Sequence, residues 1–184
     1  MNEKTRYEIM KTREFLKGYH AEDAGAEETD QQQKLSSIPC LQAARGTAAT
    51  SLPADYTSLS FSGNIMELIG GRESRRNYAD APLSLLELSF LLWCTQGIRR
   101  FAGYKNPVTF RNVPSAGSRH AFETFLFVNQ VEGLKKAVYH YLPKTHELEL
   151  WEDRSDFDAE LTDALCGQQF AASAPVLFVW ASIP

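Results

Sequence analysis

Residues Pro175 to Ile183 (P-V-L-F-V-W-A-S-I) are almost wholly apolar. The run is far shorter than the roughly 20 residues a membrane helix needs. Its β-branched and aromatic content suits a strand, and its unbroken apolarity predicts a central strand covered on both faces. A sheet with layers packed over it is therefore required. Glu123 to Asn129 (E-T-F-L-F-V-N) and Lys136 to Leu142 (K-A-V-Y-H-Y-L) supply two more strands, with Gly133 as a turn residue between them. Leu148 to Trp151 reads as a short third.

The helices announce themselves by spacing and caps. Pro82 precedes Ser84-Leu85-Leu86-Glu87, a capping box with serine at the N-cap and glutamate three residues on. Leu85, Leu88 and Leu92 follow at helical spacing, Leu86, Phe90 and Trp93 widen the apolar face, and Gly97 closes the helix. Ile65, Met66, Leu68 and Ile69 form another helical stripe that stops at Gly70-Gly71. Phe157 to Gln168 supports a further helix through Leu161, Ala164 and Leu165. The predicted class is α+β, with helices packed on a mostly antiparallel sheet.

At 184 residues the chain suits one domain with a sizeable core. Before that domain, residues 5–19 predict a short amphipathic helix with Tyr7, Ile9, Met10, Phe15 and Leu16 as its apolar members. Ala21 to about Ser60 lacks an apolar period and reads as a polar arm or linker. The division expected is 1–60 for helix and arm, and 61–184 for the folded domain. Residues 98–118, with Arg99, Arg100, Lys105 and Arg111 among Gly103, Pro107 and Pro114, read as a basic loop.

Nineteen basic against 23 acidic residues give a net charge of −4, which argues against nucleic acid or an anionic membrane as the main partner. Cys40, Cys94 and Cys166 are far apart and odd in number, so a reducing compartment is expected, by default the cytoplasm. His140 and His146 have no ligand-like spacing with cysteines or carboxylates, so no metal site is predicted. Trp93 and Trp180 read as core residues. No Gly-x-Gly-x-x-Gly follows a strand, and neither a phosphate-loop motif nor a Gly-x-Ser-x-Gly elbow is present.

Two segments carry chemistry. In R-E-S-R-R-N-Y (72–78), guanidinium groups flank a serine. Planar, permanently charged forks suit phosphate oxygens. The plain alternative is a solvated charged turn. In V-P-S-A-G-S-R-H-A (113–121), small residues would let the backbone approach a flat ring while main-chain N–H groups bond its heteroatoms. The plain alternative is a turn in which Ser115 or Ser118 caps a following helix.

With P-L-S-L-L-E-L-S-F-L-L-W-C-T-Q-G (82–97) and V-E-G-L-K-K-A-V-Y-H-Y-L-P-K-T-H-E-L (131–148), these segments form an ordered set covering more than half the chain. The set resembles the nitroreductase superfamily of FMN-dependent oxidoreductases, and within it the SagB-type branch that oxidises azoline rings in peptides. The resemblance implies a nitroreductase-like α+β domain. It assigns Arg72 and Arg76 to the FMN phosphate and ribityl chain, with Ser74 between them. Pro114, Ser115 and Ala116 would lie along the isoalloxazine, contributed across a homodimer interface, and Gly117 would permit that approach. NAD(P)H would be a transient electron donor, and nitro compounds, quinones or peptide azolines the acceptors. His120 is a candidate for a chemical role; a structural role is the alternative.

The family pattern departs at the end. Its members continue past the last strand with a long helix and a Gly-rich turn, which nothing before Pro184 matches. The resemblance therefore implies a domain incomplete at its C-terminus. The alternative function is a non-catalytic remnant or partner subunit that keeps half a site.

Overall fold

The computed structural model describes residues 2–16, 33–35, 39–61, 63–103 and 107–182. By contacts the chain divides into two units, Met1–Ile38 and Pro39–Pro184. In the first, α1 (Glu3–Leu16) starts where the Asn2 side chain accepts hydrogen bonds from the Thr5 N–H at 2.7 Å and the Thr5 hydroxyl at 2.8 Å. Tyr7, Ile9 and Met10 are exposed. Residues 17–19 of the expected helix, and most of the expected arm before Pro39, lie outside the described residues.

The second unit is built on a five-stranded sheet. Its strands are β1 (Ala49–Ser51), β4 (Phe122–Val128), β5 (Ala137–Leu142), β6 (Glu147–Glu152) and β7 (Val176–Ser182), in the order β1-β6-β5-β4-β7. Every pairing in it is antiparallel. Register sorts the residues by face. Phe125 sits opposite His140 and Val179, and His140 opposite Glu149, so these share one face. Leu126, Val128, Tyr139, Tyr141 and Leu148 occupy the other.

That second face carries the main core. Leu88 and Leu92 of α3 (Leu85–Gln96) are fully buried against Leu126, Val128, Tyr141 and Leu148. The capping box forms as its sequence predicts: Ser84 Oγ accepts from the Glu87 N–H, and Glu87 Oε2 accepts from the Ser84 N–H at 3.0 Å. The first face is covered at one end by Phe157 and Leu161 beside α4 (Asp158–Ala164), and by Ala172 of α5 (Gln169–Ala172), packed on Val138. The result is α+β, helices on an antiparallel sheet.

Four expectations change. The ordered body begins before residue 60, because Ala49–Ser51 pairs with Glu147–Glu149 and Leu52 enters the core. A three-residue strand between polar stretches leaves no period to detect. Residues 98–118 contain a hairpin, β2 (Ile98–Ala102) with β3 (Val108–Arg111), in which the Arg100 guanidinium lies 3.7 Å from the Phe110 ring centre. Its charges disguised a strand whose arginine stacks on an aromatic partner. Of the run at 175–183, Val176–Ser182 forms an edge strand, half-buried along most of its length, and Ile183 lies outside the described residues. Trp180 is 49% exposed and Trp93 39%, so neither is a core residue. Trp93 instead joins Tyr56 and Phe90 in a surface aromatic cluster.

Candidate functional site

The first motif hangs from α2 (Ile65–Gly71). Asn64 caps this helix, its Oδ1 accepting from the Met66 and Glu67 N–H groups at 3.0 and 3.4 Å. Ile65, Met66, Leu68 and Ile69 are all exposed. The chain leaves the helix in extended conformation at Arg72, and residues 72–79 have no regular structure. Arg72, Ser74 and Arg76 are exposed. Arg75 pairs with Glu73 at 3.1 Å, and the Arg76 guanidinium lies 5.5 Å from the Phe170 ring centre. Neither Arg72 nor Arg76 forms an ion pair among the described residues. Their forks are free for an external anion.

The second motif is held more firmly. Arg111, at the end of β3, is buried; it donates from Nη1 to Gln96 Oε1 at 2.6 Å and from Nε to Thr109 Oγ1 at 3.3 Å. Asn112 donates from Nδ2 to the Trp93 carbonyl at 2.7 Å and from its N–H to the Gly97 carbonyl at 3.1 Å. Gly97 is compulsory there, since a Cβ would stand 2.5 Å from the Trp93 carbonyl oxygen. Beyond it, Ala116–Ser118 makes one tight helical turn, with Pro114, Ala116 and Gly117 exposed and Ser115 half-buried. Ser115 stands before this turn but makes no side-chain capping bond to it, and no helix follows Ser118. Ser115 Oγ accepts from the His120 N–H at 2.9 Å, closing the loop on itself. Gly117, Ser118 and His120 are left-handed, with φ of 59°, 54° and 46°. Burial, then the Arg111 charge, lowers the His120 pKa, against a hydrogen bond to the Thr109 backbone. Its ring is neutral at pH 7.

No hydrogen bond, ion pair or ring contact joins 72–78 to 113–120 among the described residues. Each motif is a separate surface feature of one unit.

The sequence reading missed a buried polar row. His140 is fully buried, with Nε2 2.9 Å from Glu123 Oε2 and Nδ1 2.8 Å from Glu149 Oε1. Burial opposes charge on the ring, but hydrogen bonds from the ring to both carboxylates and their negative charge outweigh it, raising the His140 pKa. The remaining carboxylate oxygens accept from the Gln42 N–H at 3.2 Å and the Arg45 N–H at 2.8 Å. The Arg45 guanidinium covers the Trp151 ring at 3.0 Å. The signal was a glutamate or histidine on the same face of three neighbouring strands: Glu123 in β4, His140 in β5 and Glu149 in β6. Sealed from solvent, this row is structural.

His146 is similarly engaged. Its Nε2 lies 2.7 Å from Ser89 Oγ and its Nδ1 2.8 Å from the Tyr141 hydroxyl, while burial lowers its pKa. Ser89 is fully buried and donates to the Pro53 carbonyl, so it is not a nucleophile. Among the described residues, no group of three or more His, Cys, Asp or Glu is arranged to hold a metal, and no helix is long and apolar enough to cross a membrane. A shallow apolar groove lies over Phe125, Phe127, Val138, Trp151 and Val179.

Comparison with known proteins adds to this geometry. A profile of the nitroreductase family matches residues 69–183, which span both motifs. A curated protein of Methanocaldococcus jannaschii, described provisionally as a nitroreductase, is 34% identical over 111 residues, 60% of this chain and 52% of that protein. The chain thus spans about half the length of the curated relative it matches. Two solved structures bearing the same provisional description share the fold. One, from Anabaena variabilis, aligns over 90% of this chain and 30% of its own, with a TM-score of 0.58 and 19% identity. The other, from Ralstonia eutropha, aligns over 79% of this chain and 61% of its own, with a TM-score of 0.52 and 23% identity.

Proposed function

The chain belongs to the nitroreductase family, and from that premise we propose that it acts as an FMN-dependent oxidoreductase. The observation that carries this reading is the family match across 69–183, which takes in both chemistry-bearing segments at once. The residues present fit the group. Arg72 and Arg76 offer unpaired guanidinium forks for a phosphate, with the Ser74 hydroxyl between them for the ribityl chain. A Cβ added at Gly117 would meet only Arg119 Cγ, at 3.8 Å, so a flat ring can approach the 114–117 backbone closely.

When bound, FMN supplies the two-electron redox chemistry that no amino-acid side chain offers. The protein's part is to bind and orient. Arg72 and Arg76 would hold the phosphate, while Pro114, Ser115, Ala116 and Gly117 would present a small-residue edge to the ring. N–H groups of that edge favour negative charge developing near it. His120, neutral at pH 7, can accept a proton beside the loop. Reduced nicotinamide is the proposed donor. Nitro compounds, quinones or azoline rings in peptides are the proposed acceptors, and a homodimer in the cytoplasm is the proposed working form.

A second reading, a non-catalytic chain of the same fold, draws support from the chain matching only 52% of the curated relative's length. Absorbance separates them. The purified protein given FMN is expected to retain a band near ~450 nm after dialysis, as a protein-bound flavin does; a colourless protein favours the second reading. Arg72→Ala and Arg76→Ala are each expected to release more flavin than Arg99→Ala. Equal release from all three removes the phosphate assignment.

A further inference from the structure

Resting on the FMN reading above, we propose that Arg111 is a positioning residue: it holds the 112–120 loop in its ligand-ready shape by clipping it to the C-terminal end of α3. Arg111 is 8% exposed and Gln96, the last residue of α3, 9%. The guanidinium spends Nη1 on Gln96 and Nε on Thr109, which fixes the plane of the fork. The next residue, Asn112, bonds the Trp93 and Gly97 carbonyls. Two successive side chains therefore tie the root of the loop to one helix end.

The loop needs such a root. Ser118 and His120 hold left-handed backbone that non-glycine residues disfavour. Conformations of that kind persist only where the surroundings over-determine them. On the far side, the Ser115–His120 bond closes the loop, and the His120 ring reaches the Thr109 backbone of β3. The attachment to α3 comes from Arg111 and Asn112.

The clip is also poorly designed for stability alone. Arg111 Nη2 is buried without a hydrogen-bond partner among the described residues, which leaves a desolvation penalty unrelieved. Apolar residues of similar volume often replace buried polar pairs without loss of stability. What they cannot supply is a directional fork. Burial disfavours the Arg111 charge and the nearby Glu123 carboxylate offsets part of that cost; what the fork adds beyond charge is orientation.

The test uses the full chain. A double variant, Arg111→Met with Gln96→Leu, removes the fork and its partner while filling the space. It is expected to keep the wild-type unfolding midpoint, yet to bind FMN about tenfold more weakly by equilibrium dialysis, the ratio expected for loss of one well-placed interaction. Amide hydrogen exchange is expected to quicken about tenfold over 113–120 and to stay unchanged in β4, β5 and β6. A folded double variant with wild-type affinity and wild-type exchange overturns the proposal. If the double variant does not fold, Arg111→Lys decides, because it keeps the charge without the fork: faster loop exchange and weaker binding support the clip, and wild-type values overturn it. A wild type that binds no FMN sinks the FMN reading alone. Exchange over 113–120 then still decides the role of Arg111, and unchanged rates in the variants refute it.

Discussion

The sheet around His140 and the segment from Asn64 to Asp80 are opposite solutions to placing polar groups. In the sheet, one imidazole lies between two carboxylates, and the carboxylates also take backbone N–H groups from residues 42 and 45. Every partner lies within the unit. In the segment, three arginines, two glutamates, an aspartate and a serine stand in water, with one exposed ion pair and one distant ring contact. Exposed pairs of that kind contribute little. The difference is one of satisfaction: the polar groups of the sheet find their partners within the unit, and the side chains of the segment stand in water.

The sharpest way to break this contrast is Glu149→Ala. It strips one carboxylate from a fully buried imidazole and frees the Arg45 backbone, and a buried pair broken on one side costs about 3–5 kcal/mol. Urea unfolding measures it; a loss below ~1 kcal/mol would mean water reaches the row and the sheet is less self-sufficient than its geometry.

A smaller effect concerns pH. The His140 pKa is raised in the folded state, so its stabilisation is complete below the ordinary histidine value of about 6.5 and fades as pH climbs through the raised one. The lowered pKa values of His120 and His146 have the opposite sign, their contributions being lost as pH falls below that value. Comparing wild type with His140→Gln cancels the latter two. The wild type's advantage in melting temperature is expected to shrink as pH rises above about 6.5. A constant gap from acid to alkali would show that His140 is not charged in the fold.

The smallest effect belongs to α2. Ile65→Ser and Met66→Ser each remove an exposed apolar side chain and should change stability by no more than about 0.5 kcal/mol in urea. A loss several times larger would show that this helix is packed against something in solution, and the contrast would need redrawing.

Much of the scaffold was legible because it obeys local rules. The capping box at Ser84 and Glu87 formed as expected, and so did the strands around Phe125, Tyr139 and Leu148. The failures were of two kinds. In β2 and β3 the local signal was masked: arginines that stack on or beside aromatic rings read as solvent-loving loop. In the Glu123–His140–Glu149 row and the Arg111–Gln96 clip, the information lies in register, since the partners are 9 to 17 residues apart and meet only once strands pair or a helix end abuts a hairpin. The placement of β7 failed similarly. Apolarity on both faces specifies what a strand tolerates, and it says nothing about which neighbours it finds. As for the two motifs, residue chemistry singled out the segments 72–78 and 113–121, and the family resemblance assigned Arg72, Ser74, Arg76 and the 114–117 loop within them. Among the described residues the two segments make no contact, and residue spacing alone carries no information on that point.

The place of β7 at the rim of the sheet has a practical consequence. Its far side presents alternating amide donors and carbonyl acceptors along seven largely apolar residues, from Val176 to Ser182, with no charged side chain to repel a newcomer. The opposite rim, three residues of β1, is too short to template much. Any strand-on-strand aggregation in a concentrated preparation should therefore be one-sided, and a lysine at position 179 or 181 is the natural gatekeeper to engineer against it.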